Sequence, residues 1–163
     1  MIRAGTIDDI ASVQEIAHVS WVDTYEGIIP PTVQKQFLDK SYSTPMMEMR
    51  LERTIVLLAF HGSEPVGFAN FTRVDEDGDA ELIALYLKPE FQRNGYGKQL
   101  LSSGLSQLKD GSQLFVYVEC KNEKGRKFYE RNGFELVEEF EEVFEGYPLQ
   151  TAKYIYYLKT PVL

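Results

Sequence analysis

Apolar residues recur along this chain with two alternating periods. Ile10, Val13, Ile16, Ala17 and Trp21 fall at three- and four-residue steps, which predicts a helix beginning after a cap at Thr6 or Asp8. Tyr25-Glu26-Gly27-Ile28-Ile29-Pro30-Pro31 breaks that helix. Shorter helices are predicted over Thr32 to Leu38 and Pro45 to Arg53, and a short first strand over Ile2 to Ala4. From Thr54 the pattern changes to extended runs: Thr54 to Phe60, Pro65 to Val74, and Ala80 to Leu87. His61-Gly62-Ser63-Glu64 and Asp75-Glu76-Asp77-Gly78-Asp79 are the turns between them. Leu100, Leu101, Gly104, Leu105 and Leu108 return to the helical period. Leu114 to Glu119 reads as a buried strand, and Asn122 to Gly133 as a helix with an Asn cap and a glycine stop. Glu135 to Phe144 and Thr151 to Leu158 read as an antiparallel pair around a Gly146-Tyr147-Pro148 loop. The strand at Leu114 lies between two helices, so it is expected to have a parallel neighbour.

The join between the strand ending at Leu87 and the next helix carries the chemistry. Its sequence is Gln92-Arg93-Asn94-Gly95-Tyr96-Gly97-Lys98. The first N–H groups of a helix lack internal partners, and the helix dipole favours negative charge there. Glycines let the backbone approach a phosphate closely. Two familiar phosphate loops do not fit. Gln99 follows Gly97-Lys98 where a P-loop needs a hydroxyl for Mg²⁺, and Gln92 stands in place of its first glycine. A dinucleotide fingerprint needs a third glycine where Leu100 stands.

Composition narrows the class. The 163 residues suit one domain with a core of its own, taken as 1–163. The formal net charge of −8 speaks against non-specific nucleic-acid binding and is compatible with a cationic substrate. There is no apolar run long enough to span a membrane, and the N-terminus lacks a signal-peptide core, so no membrane partner is expected. Cys120 is the one cysteine, which excludes an internal disulfide and fits a reducing cytoplasm. His18 and His61 are isolated, so no metal site is expected.

The Gln-x-x-Gly-x-Gly core, with its flanks, resembles the acyl-CoA pyrophosphate loop of the GNAT N-acetyltransferase superfamily. Downstream, Asn122-Glu123-Lys124-Gly125-Arg126-Lys127-Phe128-Tyr129-Glu130-Arg131-Asn132-Gly133-Phe134 resembles that family's Asn-x-x-Ala-x-x-Phe-Tyr-x-x-x-Gly-Phe pattern at about the usual distance. Gly125 departs from the usual alanine, at a helix-propensity cost of roughly 1 kcal/mol. The resemblance covers Ile55 to Phe134 well and the ends more loosely. It implies an α/β fold: a mostly antiparallel, mixed, twisted sheet of about seven strands, splayed around acyl-CoA, with helices on both faces. It also implies that acetyl-CoA is the co-substrate.

Acetyl transfer from a thioester to an amine needs a neutral amine, N–H donors for the carbonyl oxygen, and a proton for the thiolate. Glu81 lies eleven residues before Gln92, where members of the superfamily with a glutamate base often carry it, so it is the expected base, acting through water. Glu119 is the next candidate. The oxyanion donors are expected among the backbone N–H groups around Leu85, Tyr86 and Leu87, where the family's strand often bulges. Tyr129 matches the tyrosine beside the CoA sulfur in many relatives and is the expected acid. Asn122, carried over in the same way, would cap its helix and bond the pantetheine. Gln92, Arg93, Asn94, Gly95, Tyr96, Gly97 and Lys98 are expected to hold the pyrophosphate mainly through backbone N–H groups.

The acceptor is less defined. In the family its pocket is lined by the first helices and the last two strands, which here supply Trp21, Thr24, Tyr25, Glu26, Tyr42, Tyr147 and Tyr154. They also supply Glu138, Glu139, Glu141, Glu142 and Glu145. Aromatic walls with carboxylates suit a primary amine or polyamine. The same acids also suit a charged edge strand that resists aggregation. The resemblance does not name the acceptor; the leading expectation is a primary amine of a small molecule, of polyamine type. The alternatives are a lysine or N-terminus of a protein, or a non-catalytic acyl-CoA-binding module. A homodimer through exposed sheet edges is compatible with this reading.

Overall fold

The computed structural model describes residues 1–159. Among them, seven strands form one sheet: β1 (Ile2–Ala4), β2 (Ile55–His61), β3 (Glu64–Phe71), β4 (Asp79–Leu87), β5 (Gln113–Glu119), β6 (Glu135–Phe144) and β7 (Tyr147–Tyr157). Their order is β1-β2-β3-β4-β5-β7-β6. Every neighbouring pair is antiparallel except β4 and β5. That parallel pair requires a crossover, which α4 (Tyr96–Ser106) provides.

Helices cover both faces. α1 (Ile10–Tyr25), α2 (Pro31–Ser41) and α3 (Thr44–Arg53) pack on one, with Val13, Ile16, Trp21, Leu38 and Met47 in their core. α4 and α5 (Glu123–Arg131) pack on the other, with Leu100, Leu101 and Tyr129 against Leu82, Leu114 and Val116. α1 follows a 3₁₀ turn, Ile7–Asp9, capped by Thr6 rather than Asp8. Asp9 accepts two hydrogen bonds from the Arg3 guanidinium, at 2.7 and 3.0 Å.

Two features of β4 shape the molecule. Its pairing with β5 covers only Asp79 to Leu82 against Gln113 to Val116, after which the two strands part. At that point β4 also bulges. Asn70 faces Ala84 and Phe71 faces Leu82, leaving Ile83 as the extra residue. The bulge reverses the alternation of side chains. Leu82 joins the core under α4, whereas Ala84 and Tyr86 join the core under α1.

The last hairpin differs from the expected loop. Tyr147 and Pro148 already belong to β7, paired with Phe144 and Val143. The turn is the pair Glu145-Gly146, both with positive φ (48° and 77°), the backbone of a tight two-residue hairpin. Pro148 read as a loop residue, but it sits near the start of β7, where a proline is tolerated.

Candidate active site

A cleft of about 720 Å³ opens where β4 and β5 part, bounded by the loop before α4, by α5 and by the end of α1. This is within the usual size range of small-molecule sites. Gln92 is extended, Arg93 has a φ of 67°, and Gly95, the N-cap of α4, has a φ of 84°. Left-handed residues alternating with ordinary ones turn successive N–H groups toward one concave side, which makes an anion nest. Glycine adopts that conformation freely, whereas Arg93 holds it at a strain on the order of 1–2 kcal/mol. Gly97 is buried against α5: a Cβ there would stand 3.2 Å from the Phe128 ring. The loop therefore rests its backbone against α5 and leaves the α4 N-terminus facing the cleft.

Within Gln92 to Lys98, all positions except Asn94 and Tyr96 line the cleft. Tyr96 turns away, because its hydroxyl lies 2.6 Å from His61 Nδ1 on the far side of the loop. Phe91 completes that outer aromatic contact, with its ring 5.3 Å from His61. These two residues buttress the loop and do not face the ligand.

Leu85, Tyr86 and Leu87 line the inner wall. The Lys88 N–H donates to the Val66 carbonyl on β3. Backbone groups of successive strand residues point to opposite sides. The N–H groups of Leu87 and Leu85 therefore point away from β3, toward the side that β5 has vacated. Oxyanion donors are expected here from the sequence, and the splay and the bulge leave these N–H groups facing the side that β5 has vacated.

Tyr129 lines the same wall and is 7% exposed. Burial, then the nearby Tyr25 hydroxyl, push its phenol well above the ordinary value, so it stays protonated. Tyr25 and Tyr86 also line the cleft, and burial raises both. Three protonated phenols thus converge at the inner end. Asn122 lines the cleft as well and caps α5, its Oδ1 accepting from the Gly125 N–H at 3.0 Å. A Cβ on residue 125 would stand 2.6 Å from Asn122 Nδ2, so an alanine there would require the Asn122 amide to shift.

Neither candidate base lines the cleft. Glu81 lies beside Phe115, within the last paired stretch of β4 and two residues before the bulge. It is half-buried, and burial alone raises its carboxyl above the usual range. Glu119 is buried at the end of β5, where its carboxylate accepts the Lys121 N–H.

The acceptor expectations need more correction. Trp21 and Tyr42 are core residues. Tyr154 faces α5, donating to Glu130 and accepting from Arg126. Glu139 pairs with Arg126 at 2.7 Å, and Glu142 accepts from Thr151. None of Glu138, Glu139, Glu141, Glu142 and Glu145 lines the cleft. The β6 acids fall away from it because a register shift follows Leu136 and because β7 lies between β6 and β5. The faces of Phe115 and Tyr117 are taken by the Lys153 ammonium, 4.4 and 5.8 Å from their centroids. On the α1 side, Ser20, Asp23, Thr24 and Tyr25 line the cleft, with Asp23 exposed and Ser20 and Tyr25 buried. Sequence reasoning missed a group of cations on the opposite wall, Lys121, Lys124, Lys127 and Arg131.

A sheet split open after its one parallel pair, with an anion nest at the mouth and phenols at the inner end, is the architecture of an acyl-CoA-dependent transferase. Residues 14–134 match the model of the acetyltransferase (GNAT) family, and the chain belongs to that family. It is 31% identical over 143 residues to a spermidine N(1)-acetyltransferase of Thermoplasma acidophilum, covering 83% of this chain and 88% of the relative. It is 34% identical over 122 residues to an uncharacterized N-acetyltransferase of Bacillus subtilis, covering 72% and 70%. The crystal structure of a PaiA N-acetyltransferase from Thermoplasma acidophilum in complex with coenzyme A superposes with a TM-score of 0.80 at 28% identity, over 93% of this chain and 96% of that one. The chain is an N-acetyltransferase with acetyl-CoA as its co-substrate. Among the described residues no helix is long and apolar enough to cross a membrane.

Proposed function

We propose that this enzyme acetylates a primary amine of a small, cationic molecule of the polyamine type, by direct attack in a ternary complex. The observation that carries this reading is the position of the β6–β7 hairpin. Its tip rests on α1 and α2, with Phe144 centred 5.0 Å from Phe37 and 6.0 Å from Trp21, and Lys40 3.5 Å from Glu145. A polypeptide acceptor needs an open groove between these elements, and this contact bridges it. The name of the Thermoplasma relative, a spermidine acetyltransferase, supports the same substrate class. Asp23, exposed at the α1 side of the cleft, is placed to attract an ammonium group.

In the reaction the acceptor nitrogen attacks the thioester carbonyl. The C–N bond forms, the C–S bond breaks, the amine loses one proton and the departing thiolate gains one. The Leu85 and Leu87 N–H groups stabilise the oxyanion, and the Tyr129 hydroxyl supplies the thiolate's proton. Glu81, which stands outside the cleft lining on the paired part of β4, takes the amine's proton through intervening water. Its raised pKa brings it nearer the pH at which a base works well. Asn122, at the α5 cap, bonds the pantetheine.

The test is thiol release from acetyl-CoA with polyamines, amino acids and lysine peptides as acceptors, on the wild type and on Tyr129→Phe. Polyamines are expected to give the highest kcat/KM, and the variant to lose kcat by about 10²-fold or more. Faster turnover of a lysine peptide would reject the small-molecule reading. A Tyr129→Phe enzyme with wild-type kcat would reject the assigned acid.

A further inference from the structure

The cleft wall formed by α5 carries more positive charge than a pyrophosphate at the α4 N-terminus accounts for. Lys124, Lys127 and Arg131 all line the cleft and are all exposed. They stand at i, i+3 and i+7 on one face of the helix, where like charges repel. Among the described residues none of the three is ion-paired, although the neighbouring Arg126 is, to Glu139. Glu123, one turn before Lys127, and Asp23, across the opening, are the carboxylates that line the same cleft, and neither comes within ion-pairing distance of the three. All this occurs in a chain of net charge −8.

The row also borders the phosphate nest. Lys124, Lys127 and Arg131 flank Phe128 at i−4, i−1 and i+3, and Phe128 is the residue that packs against Gly97. The nest has cations of its own in Arg93 and Lys98. Coenzyme A carries one further phosphate, on the ribose 3′ carbon, a few bonds from the pyrophosphate and farther from the thioester. With the thioester among the phenols and the pyrophosphate at the α4 N-terminus, Lys124, Lys127 and Arg131 are cleft-lining cations left to hold that group.

We propose that Lys124, Lys127 and Arg131 form a 3′-phosphate subsite that makes the enzyme discriminate coenzyme A from its 3′-dephosphorylated form. The inference goes beyond the acceptor reading and is independent of it, since it concerns only the co-substrate.

The experiment is calorimetric titration of CoA and dephospho-CoA into the wild type, into a Lys124→Gln/Lys127→Gln/Arg131→Gln variant, and into an Arg93→Gln/Lys98→Gln variant. The wild type is expected to bind CoA about tenfold more tightly than dephospho-CoA, the sum of several solvent-screened charge contacts. In the α5 variant this ratio falls toward one. In the loop variant both ligands weaken by the same factor, because both keep the pyrophosphate. Dephospho-CoA binding to the α5 variant reports that the fold and the nest are intact. A wild type with equal affinity for the two ligands, an α5 variant that keeps the tenfold ratio, or an α5 variant that weakens both ligands equally would overturn the assignment.

Discussion

Glu81 sits where burial opposes its charge. The cause of its raised pKa is desolvation alone. A carboxyl whose folded pKa lies above its unfolded value favours the protonated native state. Its ionisation therefore subtracts stability as pH rises through the ordinary carboxylate range to the folded pKa. Below both values it contributes no penalty. Asp9 runs the other way: the hydrogen bonds from Arg3 hold its pKa down, so its contribution is present at neutral pH and is lost as pH falls through the lowered value. Glu81→Gln is accordingly expected to melt at a higher temperature than the wild type at pH 7, with the gain shrinking as pH falls through the folded pKa and gone once pH is well below the ordinary carboxylate range. The same substitution is expected to lower kcat by about 10²-fold and to remove the acidic limb of the kcat/KM profile. Thermal melts across pH and a rate profile check both halves. A variant with wild-type rates and an unchanged acidic limb would assign the proton transfer to another group.

At the scale of elements, the nest before α4 shows what local sequence encodes. Gly95 and Gly97 do different jobs: one supplies a left-handed cap, the other close contact with Phe128. Gly97→Val is expected to weaken CoA binding by about tenfold or more, since the added side chain collides with Phe128 and shifts the nest. Lys98→Ala, which removes one exposed charge, is expected to weaken it by about threefold. Calorimetry on the two variants checks the order, and the reverse order would mean that side-chain charge rather than backbone geometry binds the pyrophosphate. Such a loop is legible in sequence because its glycines and its flanking apolar periods are local features. The same is true of the α5 cap at Asn122. A bulge in β4 is expected only through family resemblance, around Leu85 to Leu87, and it lies at Ile83 instead, because its place depends on the register of β3 against β4, which no single strand encodes. The hairpin turn reads one residue late at its start and two late at its end, since Gly146-Tyr147-Pro148 carries stronger turn chemistry than Glu145-Gly146. The cation row on α5 was present as a spacing, 124, 127 and 131, but reads as a solvated face until the fold sets it against the phosphate nest.

At the scale of the whole molecule, the sheet separates two tasks. In the proposed reaction its α4–α5 face and the splay hold the co-substrate, whereas α1, α2 and the β6–β7 hairpin border the acceptor side. The hairpin belongs to the edge of the sheet, and β6 is exposed along nearly its whole length. Its tip is held down by few contacts: the Phe144 ring against Trp21 and Phe37, and the Lys40–Glu145 pair, in which Lys40 is largely exposed. An exposed ion pair contributes under about 1 kcal/mol, so Phe144 is the principal latch. Removing its partly buried ring costs about 1–3 kcal/mol locally. Phe144→Ala is therefore expected to free the tip without unfolding the sheet, whose core lies elsewhere. With the tip released, the KM for a small amine is expected to rise by about threefold or more. Acetylation of a lysine peptide is expected to become measurable, while the KM for acetyl-CoA, bound on the opposite wall, stays within about twofold. Steady-state kinetics with both acceptors read this directly. A variant whose amine KM and peptide rate both match the wild type would show that the hairpin does not gate the acceptor side, and the small-molecule reading would then rest on the acceptor panel alone.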